Sequence, residues 1–312
     1  MTKNFISIDD LNVHDVEALI RRTISDKPAY LAGEGPAPLE KQTLAMIFEK
    51  PSLRTRVSFE VAMQQLGGTS IYLAPADIGL GTREPVKDVA RVLGRMCDGI
   101  MARTFNHHLV VELAEWSPAP VINGLTDFNH PCQAMADLTT VMEHFGQLHG
   151  KTLTFMGDGN NVARSLAFAC SRMGMRFVLS CPQQYNFKEG FVDEINQRDF
   201  DGTVEIVHNP ADAVKEADII YTDTWVSMGQ EDEKNDRQQS FAKFQINNDL
   251  MALAPQHSIV LHCLPAYRGC EITDAVFEKH AVHIMNQAEN RLHFQRTLLS
   301  VLLADNGKIT TS

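Results

Sequence analysis

Ser52, Arg54, Thr55 and Arg56 fall within five positions of one another, in the stretch PSLRTRVSFE ahead of an amphipathic segment. Two hydroxyls and two guanidiniums at a helix start can grip an anion. The first-turn N–H groups favour negative charge, the hydroxyls add donors, and arginine holds phosphate with two prongs. The same residues also suit an N-cap beside a surface arginine, since Arg56 and Glu60 stand four apart and can pair along the helix. Comparable residues recur downstream. Arg103 ends an apolar run, where a charge requires a partner. HPCQ offers His130 to polarise a carbonyl oxygen and Gln133 to hold an amide. DGNN places Asn160 and Asn161 at a helix start, where a carboxylate fits. DTWVSMG supplies Asp223, Ser227 and the Met228 backbone, an acid with nearby acceptors for an ammonium. HCLPAYRG brings His262 and Cys263, the latter either a nucleophile or a buried inert thiol.

The elements that must position these groups follow a regular rhythm. Short apolar, β-branched runs alternate with longer helical patterns, which predicts α/β units around parallel sheets. Strands are expected at 43–48, 69–74, 98–102, 119–123, 152–157, 176–180, 204–208, 218–222, 258–263 and 282–285, with a last helix over about 288–304. Phe59, Ala62, Met63 and Leu66 share one helix face that Gly67 and Gly68 terminate. Pro85 and Pro131 sit where a first helical residue tolerates a missing N–H. The polar, glycine-containing EHFGQLHGK at 143–151 marks a domain boundary, giving two domains, each a mainly parallel sheet flanked by helices: 1–145, 146–286, and a C-terminal helix, 287–312, that packs back on the first. In open α/β sheets ligands bind outside the carboxyl ends of the strands. The polar clusters come after strands in both halves, which implies a site between two domains.

The composition narrows the choice. The 312 residues carry a formal net charge of -11, which argues against broad electrostatic attachment to nucleic acid or an anionic membrane. An anion must therefore be held locally. No run approaches the ~18 apolar residues of a membrane span, and the N-terminus has no apolar leader. The six cysteines show no CxxC or Cys/His zinc spacing and there is no HExxH, so neither a metal nor another cofactor is expected, and the expected compartment is the cytoplasm. FMGDGNNVARS invites a dinucleotide reading through Gly157 and Gly159. Val162 occupies the third glycine position, however, and no ribose-binding acid comes after the next strand. A nicotinamide-dependent enzyme and a non-enzymatic binding module are the competing classes.

Taken in order, FEKPSLRTRVSFE, KDVARVLGRMCDGI, HPCQAMADL, FMGDGNNVARS, DTWVSMGQ and HCLPAYRG resemble the aspartate/ornithine carbamoyltransferases, on the ornithine side of that family. The resemblance covers nearly the whole chain. It implies a homotrimer with active sites at subunit interfaces, an N-terminal domain for carbamoyl phosphate and a C-terminal domain for L-ornithine, yielding citrulline for arginine biosynthesis. Another amine acceptor, or the catabolic direction, is the alternative within the family. By position, Ser52, the Leu53 N–H, Arg54 and Thr55 would hold phosphate, Arg103 would bridge phosphate and carbonyl, and His130 would face the carbonyl oxygen. Gln133, Cys263, the Leu264 carbonyl and Arg291 would surround the carbamoyl group, and Asn161, Asp223, Ser227 and the Met228 N–H would bind ornithine. Arg54, Thr55, Arg103, His130 and Cys263 would be the catalytic set. Three positions depart from the family pattern: Leu53 where threonine is usual, Gly79 in DIGLG where many have a glutamine that reaches a neighbouring subunit's phosphate, and Tyr267 where histidine is common. The aspartate-specific branch would carry a lysine in the loop near 79–84, which here reads GLGTRE.

Overall fold

The computed structural model describes residues 3–226 and 231–309. The chain divides into two compact units, Met1–Thr139 with Asn290–Ser312 (unit 1) and Thr140–Glu289 (unit 2). The principal helices are α1 (Val13–Leu31), α2 (Leu53–Gln65), α3 (Val86–Met96), α4 (His107–Trp116), α5 (Pro131–Phe145), α6 (Asn161–Arg172) and α7 (Asp274–Leu299). Helices α5 and α7 carry the chain across the division. None of the described helices is long and apolar enough to cross a membrane.

Unit 1 is built on four parallel strands, β1 (Thr43–Phe48), β2 (Thr69–Leu73), β3 (Gly99–Arg103) and β4 (Val121–Leu125), in the order β2-β1-β3-β4. β1 is buried from Leu44 onward and β3 throughout, as expected for inner strands covered on both faces. β2 lies at an edge and stays partly exposed. At the end of β3 the register slips: Ala102 pairs with Asn123 but Arg103 with Leu125, so Gly124 is the extra residue. A Cβ on Gly124 would stand 2.6 Å from the Met101 sulfur, so only glycine fits there without displacing its neighbour. The bulge on β4 falls opposite the point where β3 ends at Arg103.

Unit 2 holds five parallel strands, β5 (Thr152–Met156), β6 (Arg176–Ser180), β7 (Thr203–Ile206), β8 (Ile219–Thr222) and β9 (Ile259–His262), in the order β7-β6-β5-β8-β9. In both sheets the chain winds one way from a central strand and then the other. The switch points fall between β1 and β3 and between β5 and β8, and it is at the carboxyl ends of such strands that open sheets form binding crevices.

The two-domain parallel architecture is as the sequence predicts, and nine of the expected strands are present. Residues 282–285 are not a strand: they lie inside α7, which starts at Asp274 instead of near 288. VHIM is apolar enough to pass for a strand, but burial around it has a helical period. Val276, Phe277, His280, Ile284 and Gln287 are buried, while Val282 and Met285 are 61% and 48% exposed. After Leu299 the backbone loosens into a π-helical turn, Ser300–Ala304. Pro131 does open α5, whereas Pro85 is the residue before α3 rather than its first.

His280 gives the fold a pH dependence. Burial, then Lys279 and His283, pull its imidazole down to about 4, and its Nδ1 accepts the Val260 N–H. The unfolded chain, near 6.5, therefore binds this proton more readily than the native one. That stability is complete above about pH 6.5 and is lost as pH falls toward 4. Urea unfolding at pH 7.5 and pH 5 is expected to show a loss at the lower pH, and His280→Asn is expected to make that loss smaller.

Candidate functional site

In unit 1 the polar clusters meet around one oxygen. Ser52 is the N-cap of α2; its Oγ accepts from the Thr55 N–H at 3.4 Å and donates to Thr55 Oγ1 at 3.1 Å. Thr55 Oγ1, fully buried, also accepts from Arg291 at 2.8 Å and from Arg103 at 3.4 Å. Four of the residues singled out in the sequence, from positions 52 to 291, thus converge on the first turn of α2. Leu53 opens that turn with its side chain exposed, so its contribution there is the backbone N–H. Arg56 does not join them. It pairs with Glu60 at 2.9 Å and lies over the Tyr72 ring at 4.2 Å, as the four-residue spacing predicts.

Neither Arg54 nor Arg103 is paired with a carboxylate among the described residues. The consequence is electrostatic. Burial first, and then the like charges of Arg291 and Arg54, draw the Arg103 guanidinium down to about 9. Burial, then Arg291 and Arg103, hold His130 well below the usual imidazole range, so it is neutral at neutral pH. An anion placed among these guanidiniums would offset both effects. Arg103 Nε finds no hydrogen-bond partner among the described residues. Gln133 donates to Asp137 at 2.8 Å, while its own carbonyl oxygen is buried without a donor. Buried polar atoms of this kind need an explanation, and a polar ligand supplies one.

His130 is placed by the loop before it. Thr126 Oγ1 accepts from the backbone N–H groups of Phe128 and Asn129, and the Asn129 side chain accepts from Asn123 on β4. The loop is tied to the sheet at its start and enters α5 directly through Pro131, leaving His130 little freedom. Burial pushes the neighbouring Cys132 thiol up to about 12, so it offers no thiolate.

In unit 2 the loops after β5, β8 and β9 meet at Asp223. Its carboxylate accepts from the Thr224 N–H at 2.7 Å, from Cys263 Sγ at 2.9 Å and from Asn160 Nδ2 at 3.2 Å. Asn160 is also the N-cap of α6, accepting from Val162 and Ala163, so one side chain fixes both the helix start and the acid. Asn161 comes next as the first helical residue, partly exposed. Arg237 braces the same loops, pairing with Asp158 at 3.0 Å and donating to the Trp225 carbonyl at 3.0 Å while stacking on Tyr185. Leu264 adopts φ +59° just beyond Cys263. Ser227 and Met228 lie outside the described residues. Sequence reasoning missed Arg237 and Glu271, and it gave Asn160 no role toward Asp223. Arg237 and Glu271 are charges in otherwise buried surroundings, a signal that no short motif carries. Among the described residues no group of three or more His, Cys, Asp or Glu is arranged to hold a metal ion.

This pairing of an anion-gripping parallel sheet with a second sheet that presents a buried acid agrees with the comparisons. Residues 3–143 match the aspartate/ornithine carbamoyltransferase carbamoyl-P binding domain, and residues 149–302 match the Asp/Orn binding domain of the same family. The chain belongs to the aspartate/ornithine carbamoyltransferase family. Among its relatives, the ornithine carbamoyltransferase of Anoxybacillus flavithermus is 46% identical over 303 residues, 96% of each chain, and that of Methanopyrus kandleri is 46% identical over 305 residues, 97% of each. The solved ornithine carbamoyltransferase of Pyrococcus furiosus superposes with a TM-score of 0.92 at 43% identity, covering 96% of both chains.

Proposed function

We propose that the chain transfers the carbamoyl group of carbamoyl phosphate to the δ-amine of L-ornithine, giving L-citrulline and phosphate in arginine biosynthesis. The observation that carries this reading is the set of guanidiniums around Thr55 at the start of α2, with Arg54 and Arg103 lacking carboxylates among the described residues. Relatives named ornithine carbamoyltransferase support the choice of acceptor.

The chemistry derives from the groups present. Ser52, the Leu53 N–H, Arg54, Thr55 and Arg103 hold the phosphate of carbamoyl phosphate. His130, neutral, donates an N–H to the carbonyl oxygen, and the Gln133 oxygen accepts from the carbamoyl NH2. Asp223 takes the α-ammonium of ornithine, and Asn161, Ser227 and the Met228 N–H complete the ornithine site, the N–H donating to the α-carboxylate. The δ-amine attacks the carbonyl carbon, and the tetrahedral intermediate expels phosphate, which can carry off the proton. An alkyl ammonium has a pKa of about 10.4, so near pH 7.5 only about one amine in a thousand is neutral, a cost of about 4 kcal/mol. Nearby guanidiniums favour the neutral amine and stabilise the developing oxyanion, and one such donor is typically worth about 3 kcal/mol of barrier.

The domains divide the work: residues 1–145 for carbamoyl phosphate, 146–286 for ornithine, and 287–312 with the first. A homotrimer with intersubunit active sites is part of the same proposal. In its support, α2 exposes Leu53 and Val57, one turn apart, and edge strand β2 exposes Ile71. The cytoplasmic reading is supported by the net charge and by six cysteines, none of them joined in a disulfide among the described residues. The deciding experiment offers the purified protein carbamoyl phosphate with ornithine, aspartate, putrescine or acetylornithine. Citrulline from ornithine, with the others slow, is expected, and silence with ornithine would overturn the assignment.

A further inference from the structure

The turn that carries Cys263 and Leu264 is held by two buried side chains that the proposed mechanism does not use. His262 ends β9, and its side chain is fully enclosed, as is that of Glu271. His262 Nδ1 lies 2.9 Å from the Leu264 N–H, and Nε2 lies 3.1 Å from Glu271 Oε1. A backbone N–H can only donate, so Nδ1 must be the acceptor, and a neutral imidazole then carries its hydrogen on Nε2, toward the carboxylate. The same Glu271 oxygen accepts the Tyr267 N–H. Glu271 is itself fixed to the scaffold: its carbonyl accepts from the Ile246 N–H at 2.9 Å, and Thr273 donates back to Ile246 at 3.0 Å. Across the strand the His262 N–H donates to Gln287 at 2.8 Å.

These bonds close the 262–271 loop at both ends and flank an unusual backbone conformation near its start. Leu264, not a glycine, sits in the left-handed region at φ +59°, a conformation that persists only where the surroundings over-determine it. The residue before it sets its thiol 2.9 Å from the Asp223 carboxylate. We propose that His262 and Glu271 form a positioning pair whose Nε2–H tautomer fixes the Cys263–Leu264 turn, and with it the Cys263 thiol that orients Asp223 toward ornithine. This rests on the reading of Asp223 as the ornithine site.

Two substitutions separate the halves of the imidazole. His262→Asn keeps an acceptor near the Nδ1 position, whereas His262→Gln keeps a donor near Nε2 and removes the acceptor. His262→Gln is expected to raise the KM for ornithine ~10-fold, the value of one lost hydrogen bond at the site, with His262→Asn within ~3-fold and carbamoyl phosphate binding unchanged in both. A wild-type KM in His262→Gln, or equal effects of the two variants, would overturn the proposal, because a merely structural histidine would lower thermal stability without this split. Should His262→Gln fail to fold, ring-nitrogen chemical shifts of the wild-type protein decide instead: a protonated Nε2 and bare Nδ1 support the pair, and the opposite tautomer overturns it. Absence of citrulline formation in the wild type would count against the enzyme assignment alone, since the ring-nitrogen measurement still reads the tautomer.

Discussion

Arg54→Ala is expected to lower kcat/KM for citrulline formation by about 10³-fold, with secondary structure and unfolding midpoint unchanged. The size reflects the loss of a charge-assisted donor to phosphate at a helix start, where the first-turn N–H groups and Ser52 already concentrate positive potential. The fold should survive because Arg54 has no ion-pair partner among the described residues, so its removal strands no buried charge. Arg103→Ala would be a less clean experiment, since Arg103 is buried and donates to Thr55. The Arg54 variant also carries an internal check. Its like charge is one of the influences that draw Arg103 down, so removing it lets the Arg103 guanidinium rise. Steady-state kinetics at saturating ornithine, with circular dichroism, settle the matter, and near-normal turnover would remove Arg54 from the phosphate grip.

Asp223→Asn is expected to raise the KM for ornithine about 10²-fold while leaving carbamoyl phosphate affinity within a factor of two. The substitution keeps the side-chain shape and deletes the charge. Asn160 Nδ2 and Cys263 Sγ donate to opposite carboxylate oxygens, so an amide can satisfy only one of them with its single oxygen. Part of the loss is therefore orientation and part is the missing partner for the α-ammonium. Isothermal titration with carbamoyl phosphate alone, beside steady-state kinetics, separates the two substrates. An unchanged ornithine KM would move the ammonium site elsewhere.

Much of this arrangement was legible in the sequence because parallel strands buried on both faces are continuous apolar runs, and the residues just past each strand are conspicuously polar. TLAMIF leading into EKPSLRTR is the plainest instance. VHIM at 282–285 failed for the converse reason: a run of four residues, three of them apolar, fits one turn of a helix as well as a strand, and only Asp274, well upstream, shows where that helix begins. At the site, Ser52 and Thr55 could be read from α2's own N-terminus, since capping is local. Arg103 and His130 stand out in their own stretches and Arg291 was placed by resemblance, but the meeting of the two arginines at Thr55 depends on sheet order, which no spacing rule announces. Glu271 lay beyond reach altogether. Its partner is nine positions back, and the interaction exists because a loop closes.

The division of the chain bears on how such a protein is made. Unit 1 is assembled from the first 139 residues and from the segment that begins at Asn290, where Arg291 reaches Thr55, Phe294 packs against Phe5, and Arg22 pairs with Asp305. A ribosome delivers those pieces only after the whole of unit 2. The phosphate grip proposed here thus stays unfinished until unit 2 has been made, while unit 2, one uninterrupted stretch, has every residue it needs beforehand. The unit that is begun earlier is the one that is completed later.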